Sequence, residues 1–337
     1  MDISSILNTL AERKNLDDKK ASDLLRLIMD GTLTPSQTAA ILMGLKMKGE
    51  SAEEIAAFAQ VMREKATDIS VPELDLIDTC GTGGDGAHTF NISTISAVIA
   101  CSAGCAVAKH GNRSISSRCG SADVLQALGL VLELPPEKLQ HILQKLRIVF
   151  LFAPCLHRAM KFVMPVRKDL GIRTVFNILG PLTNPAGAKK QMIGVFNEKL
   201  CHLYADVLLR MNHDEAYIVH GRDGLDEVSI CAPTLVIHLK EGKLLQSEVT
   251  PEEFGITRVS IEAIRGGDPE ENSRIIRSIL GGEKGPRRDI ACLNAAFAIQ
   301  MGLQTPSLID AYHLAQESID SGKAKAILSQ WIEESKK

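Results

Sequence analysis

The spacing of apolar and polar positions divides this chain into two parts. Over the first seventy residues the apolar positions follow a helical period. Ile6, Leu7 and Leu10 open one helix, and Leu24, Leu25, Leu27 and Ile28 mark a second. Thr34-Pro35 starts a third, with proline in the first turn where its missing N–H costs nothing, running through Ile41, Leu42 and Leu45. Ser51-Ala52-Glu53-Glu54 has the form of a capping box and opens a fourth through Ile55, Phe58 and Met62. From Val71-Pro72 onward, short apolar runs alternate with helical stretches. Residues 74–78, 106–108, 148–152, 192–196 and 216–220 read as strands, with helices from Ser93 to about Ala103 and through Val124, Leu125 and Leu128. Leu235, Ile237 and Leu239 alternate ahead of Glu241-Gly242, the pattern of an antiparallel hairpin, and residues 272–334 read as mostly helical. The fold class expected is α/β: a small helical domain over 1–70, joined by helical segments near 165–185, and a large domain over 71–337 with a mostly parallel central sheet.

Composition narrows the classes. At 337 residues and 45% hydrophobic, the chain can bury a sizeable core in more than one domain. A charged fraction of 23% and a net charge of -3 speak against disorder and against wholesale nucleic-acid binding. The eight cysteines are scattered without a C-x-x-C pair, and Cys101 and Cys105 read as small core residues on one helix face. Met1-Asp2-Ile3-Ser4-Ser5 has no basic region ahead of an apolar run, and no apolar stretch is long enough to cross a bilayer. A cytoplasmic location without membrane or nucleic-acid partners is expected.

The candidate chemistry begins at Gly81-Thr82-Gly83-Gly84-Asp85-Gly86, between a strand and a helix. Glycines let backbone amides approach an anion, and the helix N-terminus adds its positive end. The spelling also fits a dinucleotide fingerprint, which expects an acidic residue about 20 positions on. That region holds Ala106-Val107-Ala108-Lys109-His110-Gly111 instead. Asn91, Ser93 and Thr94 cap the following helix or contact a ligand. Lys109-His110-Gly111-Asn112-Arg113-Ser114 gathers two cations and further polar groups in a loop at the end of a strand. Ser116, Ser117, Gly120 and Ser121 extend a small, hydroxyl-rich character into the next helix start.

These segments, with Gly120-Ser-Ala-Asp-Val124, Pro165-Val166-Arg167, Gly171-Ile-Arg-Thr174, Asn177-Ile-Leu-Gly-Pro-Leu-Thr-Asn-Pro185 and Gly224-Leu-Asp-Glu227, resemble in order and spacing the motifs of the anthranilate phosphoribosyltransferase family. One departure stands out: the family commonly has proline where Arg158 stands. The resemblance implies an architecture of the nucleoside phosphorylase and phosphoribosyltransferase type, and a homodimer joined through the helical domains. It implies transfer of the phosphoribosyl group from 5-phosphoribosyl 1-diphosphate to anthranilate, in tryptophan synthesis.

Carried onto this sequence, it places Gly81, Gly84, Asp85, Thr89, Asn91, Ile92, Ser93, Thr94 and Ser121 around the phosphosugar. The run from Lys109 through His110, Gly111, Asn112, Arg113, Ser114, Ile115, Ser116 and Ser117 joins them. Gly81, His110, Asn112, Arg167 and Gly180 would face anthranilate, and Ser93, Asp226 and Glu227 would hold Mg2+. The residues expected to act in catalysis are Lys109, Arg167 and His110. Cleavage at C1 leaves negative charge on diphosphate, so cations and amides suit the task. Paired carboxylates such as Asp226-Glu227, which alone would read as an exposed turn, are how proteins hold magnesium on a phosphate. Arg167 offers a carboxylate the fork it prefers. A pyrimidine nucleoside phosphorylase and a non-catalytic nucleic-acid binder on the same scaffold are the competing readings.

Overall fold

The computed structural model describes residues 2–114 and 118–337. Four helices come first: α1 (Ile3–Ala11), α2 (Asp18–Met29), α3 (Pro35–Lys48) and α4 (Ala52–Glu64). Each starts where the chain supplies a cap. Thr34 and Ser51 both form the expected capping boxes, with Gln37 and Glu54 as reciprocal partners. Glu54 is fully buried and does more than cap. Its carboxylate takes the Leu16 N–H at 2.9 Å and the Lys48 ammonium at 2.7 Å, tying three segments of the bundle together.

The remainder follows as β1 (Leu76–Gly81), α5 (Ile92–Ala103), β2 (Ala106–Gly111), α6 (Ser121–Ala127), α7 (Pro136–Leu146), β3 (Ile148–Phe152), the short α8 (Ala153–Leu156), α9 (Met164–Leu170), the short α10 (Phe176–Leu179), β4 (Lys190–Gly194), α11 (Glu198–Arg210) and β5 (Glu215–Gly221). The hairpin β6 (Thr234–Lys240) and β7 (Lys243–Val249) comes next, then α12 (Pro269–Leu280), α13 (Pro286–Leu303), α14 (Leu308–Asp320) and α15 (Lys323–Lys336). Seven strands form one sheet in the order β3-β2-β1-β4-β5-β6-β7, parallel from β3 through β5 and antiparallel at the hairpin. Helix α5 is buried almost all round between the sheet and α13, which explains its continuous apolar run.

Several strand boundaries differ from the sequence pattern. β1 starts at Leu76 because Leu74 closes a turn on Val71. β4 ends at Gly194 rather than Phe196. β2 runs on through Lys109, His110 and Gly111, which pair with Phe150, Leu151 and Phe152 instead of lying in a loop. Their polarity hid the strand, and the fold accommodates it by giving the Lys109 ammonium and the His110 ring internal partners. Arg158 is exposed at the first position of a 3-10 turn (Arg158–Phe162), where a proline would fit equally well.

The helical bundle shares its apolar cluster with Val163, Val166, Val175, Phe176 and Leu179, and with one face of β4, β5 and β6. At this junction Arg63 of α4 donates to the Leu182 carbonyl at 2.7 Å and lies 3.3 Å from His213 Nε2. Burial, and then Arg63, pull the His213 imidazole down to about 3. The unfolded chain therefore binds this proton more tightly than the folded one. The corresponding stability is complete above the ordinary value of 6.5 and is lost as pH falls from there towards 3. His213→Gln keeps an acceptor for Arg63 but cannot titrate. Between about pH 7 and pH 5 the variant is expected to lose less stability than wild type, by up to about 1 kcal/mol per pH unit, in urea titrations. Parallel pH profiles for the two proteins would contradict this.

Candidate functional site

Four of the parallel strands, β1, β2, β4 and β5, end in glycine, at Gly81, Gly111, Gly194 and Gly221. The chain leaves β1 towards β2 and β3 on one side, while β4 lies on the other. The crevice beyond the carboxyl ends of β1 and β4 is thus the switch point where open α/β sheets bind ligands. The segment after β5 crosses this crevice. Gly83 donates its N–H to Asp226 Oδ2 at 2.8 Å. A Cβ at Gly194 would lie 1.6 Å from the Asp226 carbonyl oxygen, so only glycine lets the Asp226-Glu227 pair pass over the strand ends. Gly194 is not among the residues expected from sequence; its only signal there is a glycine closing an apolar strand.

Around this crossing the charges gather. Glu227 Oε1 accepts from the Ser93 N–H, at the start of α5, at 3.1 Å. Lys109 is 2% exposed, and its ammonium donates to the Thr79 carbonyl and, at 3.2 Å, to Ser93 Oγ. Gly81, Ser93, Lys109, Asp226 and Glu227 therefore form one cluster. Burial and then Asp85 push the Asp226 carboxyl up to about 7, and burial and then Asp226 push Glu227 well above the carboxylate range. Burial pulls Lys109 below its ordinary value against the attraction of Asp78 and the pair. Three carboxylates and one ammonium make a site that favours an added cation. Among the described residues, no three His, Cys, Asp or Glu side chains close a metal cage by themselves.

The other phosphosugar candidates fall into two groups. In the first, Asp85 Oδ1 accepts from the Ala87 N–H at 3.1 Å, and Thr89 bridges to Arg265. Asn91 precedes α5 but does not cap it; its amide donates to the Cys119 carbonyl and accepts from Asn272. Ile92 turns into the core, and Thr94 Oγ1 is buried without a partner among the described residues. The second group follows β2 and is organised by Asp123. Its carboxylate accepts from the N–H of Ser114 at 3.1 Å and of Gly120 at 2.9 Å, and from Arg113 at 3.0 Å. Arg113 also lies over the Phe152 ring. Asn112 Oδ1 accepts from the Arg113 N–H, and Ser121 Oγ donates to the Asn112 carbonyl. In the sequence Asp123 stands within a motif but carries no sign of this role. The contacts expected of Ile115, Ser116 and Ser117 lie outside the described residues.

On the other side of β2, His110 and Gly180 meet: ring Nδ1 donates to the Gly180 carbonyl at 3.1 Å. Burial, then the neighbouring His157, pull His110 down to about 3, so its ring is neutral and the buried Nε2 keeps a free lone pair. His157 lies 5.1 Å away between ring centroids, with both ring nitrogens buried and unbonded among the described residues, and burial pulls it to about 4. The backbone N–H of His110 is held by Asp78 at 3.0 Å, a buried acid inside β1. Arg167 does not bond directly to these groups. Its guanidinium reaches Asn177 Oδ1 at 3.4 Å, lies over Phe176, and has no carboxylate partner among the described residues. Clefts of about 460 and 390 Å³ around Ile256 and Thr257 share no residue with this site, and their walls hold neither glycine-loop amides nor a carboxylate pair.

Over nearly its whole length the chain is similar to known proteins. The model of the glycosyl transferase family a/b domain matches residues 73–325, and that of the family's helical bundle domain matches 4–66. An anthranilate phosphoribosyltransferase of Thermoanaerobacter sp. (strain X514) is 47% identical over 331 residues, covering 98% of each chain. A crystal structure of anthranilate phosphoribosyltransferase from Thermus thermophilus superposes with a TM-score of 0.93 at 41% identity, covering 98% of this chain and 99% of that one. The Saccharomyces cerevisiae enzyme in complex with PRPP and Mg, PRPP being phosphoribosyl diphosphate, gives 0.91 at 28% identity, over 99% and 98%.

Proposed function

The chain belongs to the anthranilate phosphoribosyltransferase family, and we propose that the cluster at the carboxyl edge of its sheet carries the family's reaction. That reaction moves the phosphoribosyl group from 5-phosphoribosyl 1-diphosphate to the amine of anthranilate, a step of tryptophan synthesis. The observation that carries the site assignment is the convergence of Gly81–Gly83, Ser93, Lys109 and Asp226-Glu227 on the switch-point crevice. Loss of anthranilate fluorescence on adding the phosphosugar, with and without magnesium, tests the reaction; no loss in either condition rejects it. Phosphorolysis of thymidine in its place would favour the nucleoside phosphorylase reading.

The donor set fits Mg2+. Two half-buried carboxyls and a serine hydroxyl offer hard oxygens, and crowding makes the pair hold protons that a bound cation would displace. Ser93, Asp226 and Glu227 would hold the ion, which when bound neutralises charge on the diphosphate. The rest of the chemistry belongs to the chain. Loop amides and the α5 N-terminus cradle the anion. The Lys109 ammonium, fixed by Thr79 and Ser93, faces the negative charge that grows as the C1–oxygen bond lengthens. Asn91, Thr94, the Lys109–Ser117 segment and Ser121 complete the phosphosugar site.

Anthranilate would lie between Arg167, Asn112, Gly81, Gly180 and His110, with its carboxylate on the guanidinium. Its amine is neutral at pH 7 and needs orientation more than deprotonation. The neutral His110, with an accepting Nε2, suits that role and not that of an acid. Arg167→Ala is expected to raise the anthranilate KM by about 10- to 100-fold, from the loss of a charge-assisted bidentate contact. The phosphosugar KM should stay unchanged, and equal losses for both substrates in steady-state kinetics would refute the role.

The working division is a helical domain over 1–70 and an α/β domain over 71–337, joined near 165–185. A homodimer through the helical part is supported by Met43, Met47, Phe162 and Met164, large apolar side chains left exposed on elements that pack together. Among the described residues no helix is long and apolar enough to cross a membrane. The cytoplasm is the address proposed for a biosynthetic enzyme of this kind.

A further inference from the structure

The carboxyl edge is short of positive charge. Asp226 and Glu227 lie near one buried ammonium, Lys109, with Asp85 beside the pair, and a bound phosphosugar adds further negative charge. A second cation stands close by, outside every motif role assigned above. Arg173 lies in the segment between α9 and α10, exposed to solvent. Its guanidinium carbon is 4.7 Å from the centre of the Phe196 ring, just beyond the end of β4. Nη2 is 3.4 Å from the Gly84 carbonyl oxygen. No carboxylate lies within ion-pairing distance of it among the described residues.

The contact with the loop is close. A Cβ built on Gly84 would sit 2.1 Å from Arg173 Nη2, and Gly84 also has φ of +87°. The backbone conformation itself calls for glycine there, and the absence of a side chain leaves room for the guanidinium to rest against the loop. An arginine kept only for solubility would extend into water, with its ends mobile. Here an aromatic face and a carbonyl fix the plane of the fork at the rim of the phosphate loop. Among the described residues, most of its five N–H donors have no partner.

We propose that Arg173 is a further phosphosugar-binding residue, which meets the diphosphate from the glycine-loop side, opposite Lys109. The inference rests on the phosphoribosyl-transfer reading. As the anthranilate nitrogen bonds to C1 and gives up a proton to solvent, the C1–oxygen bond breaks and its electron pair passes to the diphosphate, where the guanidinium donates hydrogen bonds to the oxygens that gain charge. Arg173 also continues directly into Thr174, whose N–H shares Asn177 Oδ1 with Arg167. The same segment thus reaches towards both substrates.

The test compares wild type, Arg173→Lys and Arg173→Gln in magnesium buffer, by calorimetric titration with inorganic diphosphate and with 5-phosphoribosyl 1-diphosphate. Arg173→Gln should weaken both ligands by about tenfold or more, the scale of one lost charge-assisted contact. Arg173→Lys, which keeps the charge but not the stacked fork, should retain part of the affinity, and the affinity of Arg173→Gln should depend less steeply on salt. The anthranilate KM at saturating phosphosugar should not change. Wild-type affinity in Arg173→Gln would overturn the proposal, as would equal losses in both variants, which would mark a packing role. If wild type itself binds neither ligand, the phosphosugar site falls and this inference with it.

Discussion

Lys109→Ala is expected to lower kcat/KM for 5-phosphoribosyl 1-diphosphate by about 100- to 1000-fold, the cost of removing one preorganised donor from developing charge. The size follows from where the ammonium sits. It is 2% exposed, at the end of a central strand, and two protein oxygens fix its direction. Desolvation makes each of its interactions stronger than the same contact in water. Removing it also leaves Asp78, Asp226 and Glu227 without their shared cation, so the empty site itself is perturbed. For that reason kinetics alone are not decisive. Titration calorimetry should show phosphosugar affinity reduced together with turnover, while anthranilate affinity, carried on the other side of β2, changes little. Lys109→Arg keeps the charge but needs more room between β1 and α5, and should recover only part of the loss. Wild-type phosphosugar affinity in Lys109→Ala would remove the residue from the site.

Much of this arrangement is legible in the chain because it is local. The caps at Thr34 and Ser51, the alternation of β6 and the apolar runs of β3 and β5 each announce themselves within a few residues. Glycine-loop chemistry is equally local, and the resemblance of the motifs supplies the order of the rest. What sequence patterns miss is set by contacts across long separations. The end of β2 looks like a loop because Lys109 and His110 are polar; only their pairing with Phe150 and Leu151 makes them strand. Gly194 looks like an ordinary terminator until the Asp226 backbone passes over it. Asn91 looks like a cap, yet its amide is committed to Cys119 and Asn272. Asp123 and Asp78 look like solvated or misplaced acids, but they hold the 112–114 turn and the His110 backbone. In each case a side chain acts through a partner far along the chain, and a single sequence carries no record of that distance.

The largest effect is expected from the paired change Asp226→Asn with Glu227→Gln, which should abolish magnesium-dependent turnover. These substitutions keep the shape of the crossing segment and remove only its charge. Gly83 can still donate to an amide oxygen at position 226, and Ser93 to one at 227, so the loop and the α5 N-terminus should stay in place. The clustered carboxylates cost the fold stability: burial, then Asp85 acting on Asp226 and Asp226 acting on Glu227, holds both above their ordinary range. Neutral amides relieve that repulsion, and the double variant should therefore be at least as stable to urea as wild type. Loss of activity in a protein that is no less stable would separate function from folding. The direct reading is metal binding. Mn2+ titrated against wild type and followed by electron paramagnetic resonance in the presence of inorganic diphosphate should show a site that the double variant lacks. Mn2+ binding or turnover at wild-type levels in the variant would sink the role of the pair. A large loss of stability on neutralisation would instead show that Lys109 and the two carboxylates form a structural ion cluster, held together for the fold and not for a ligand.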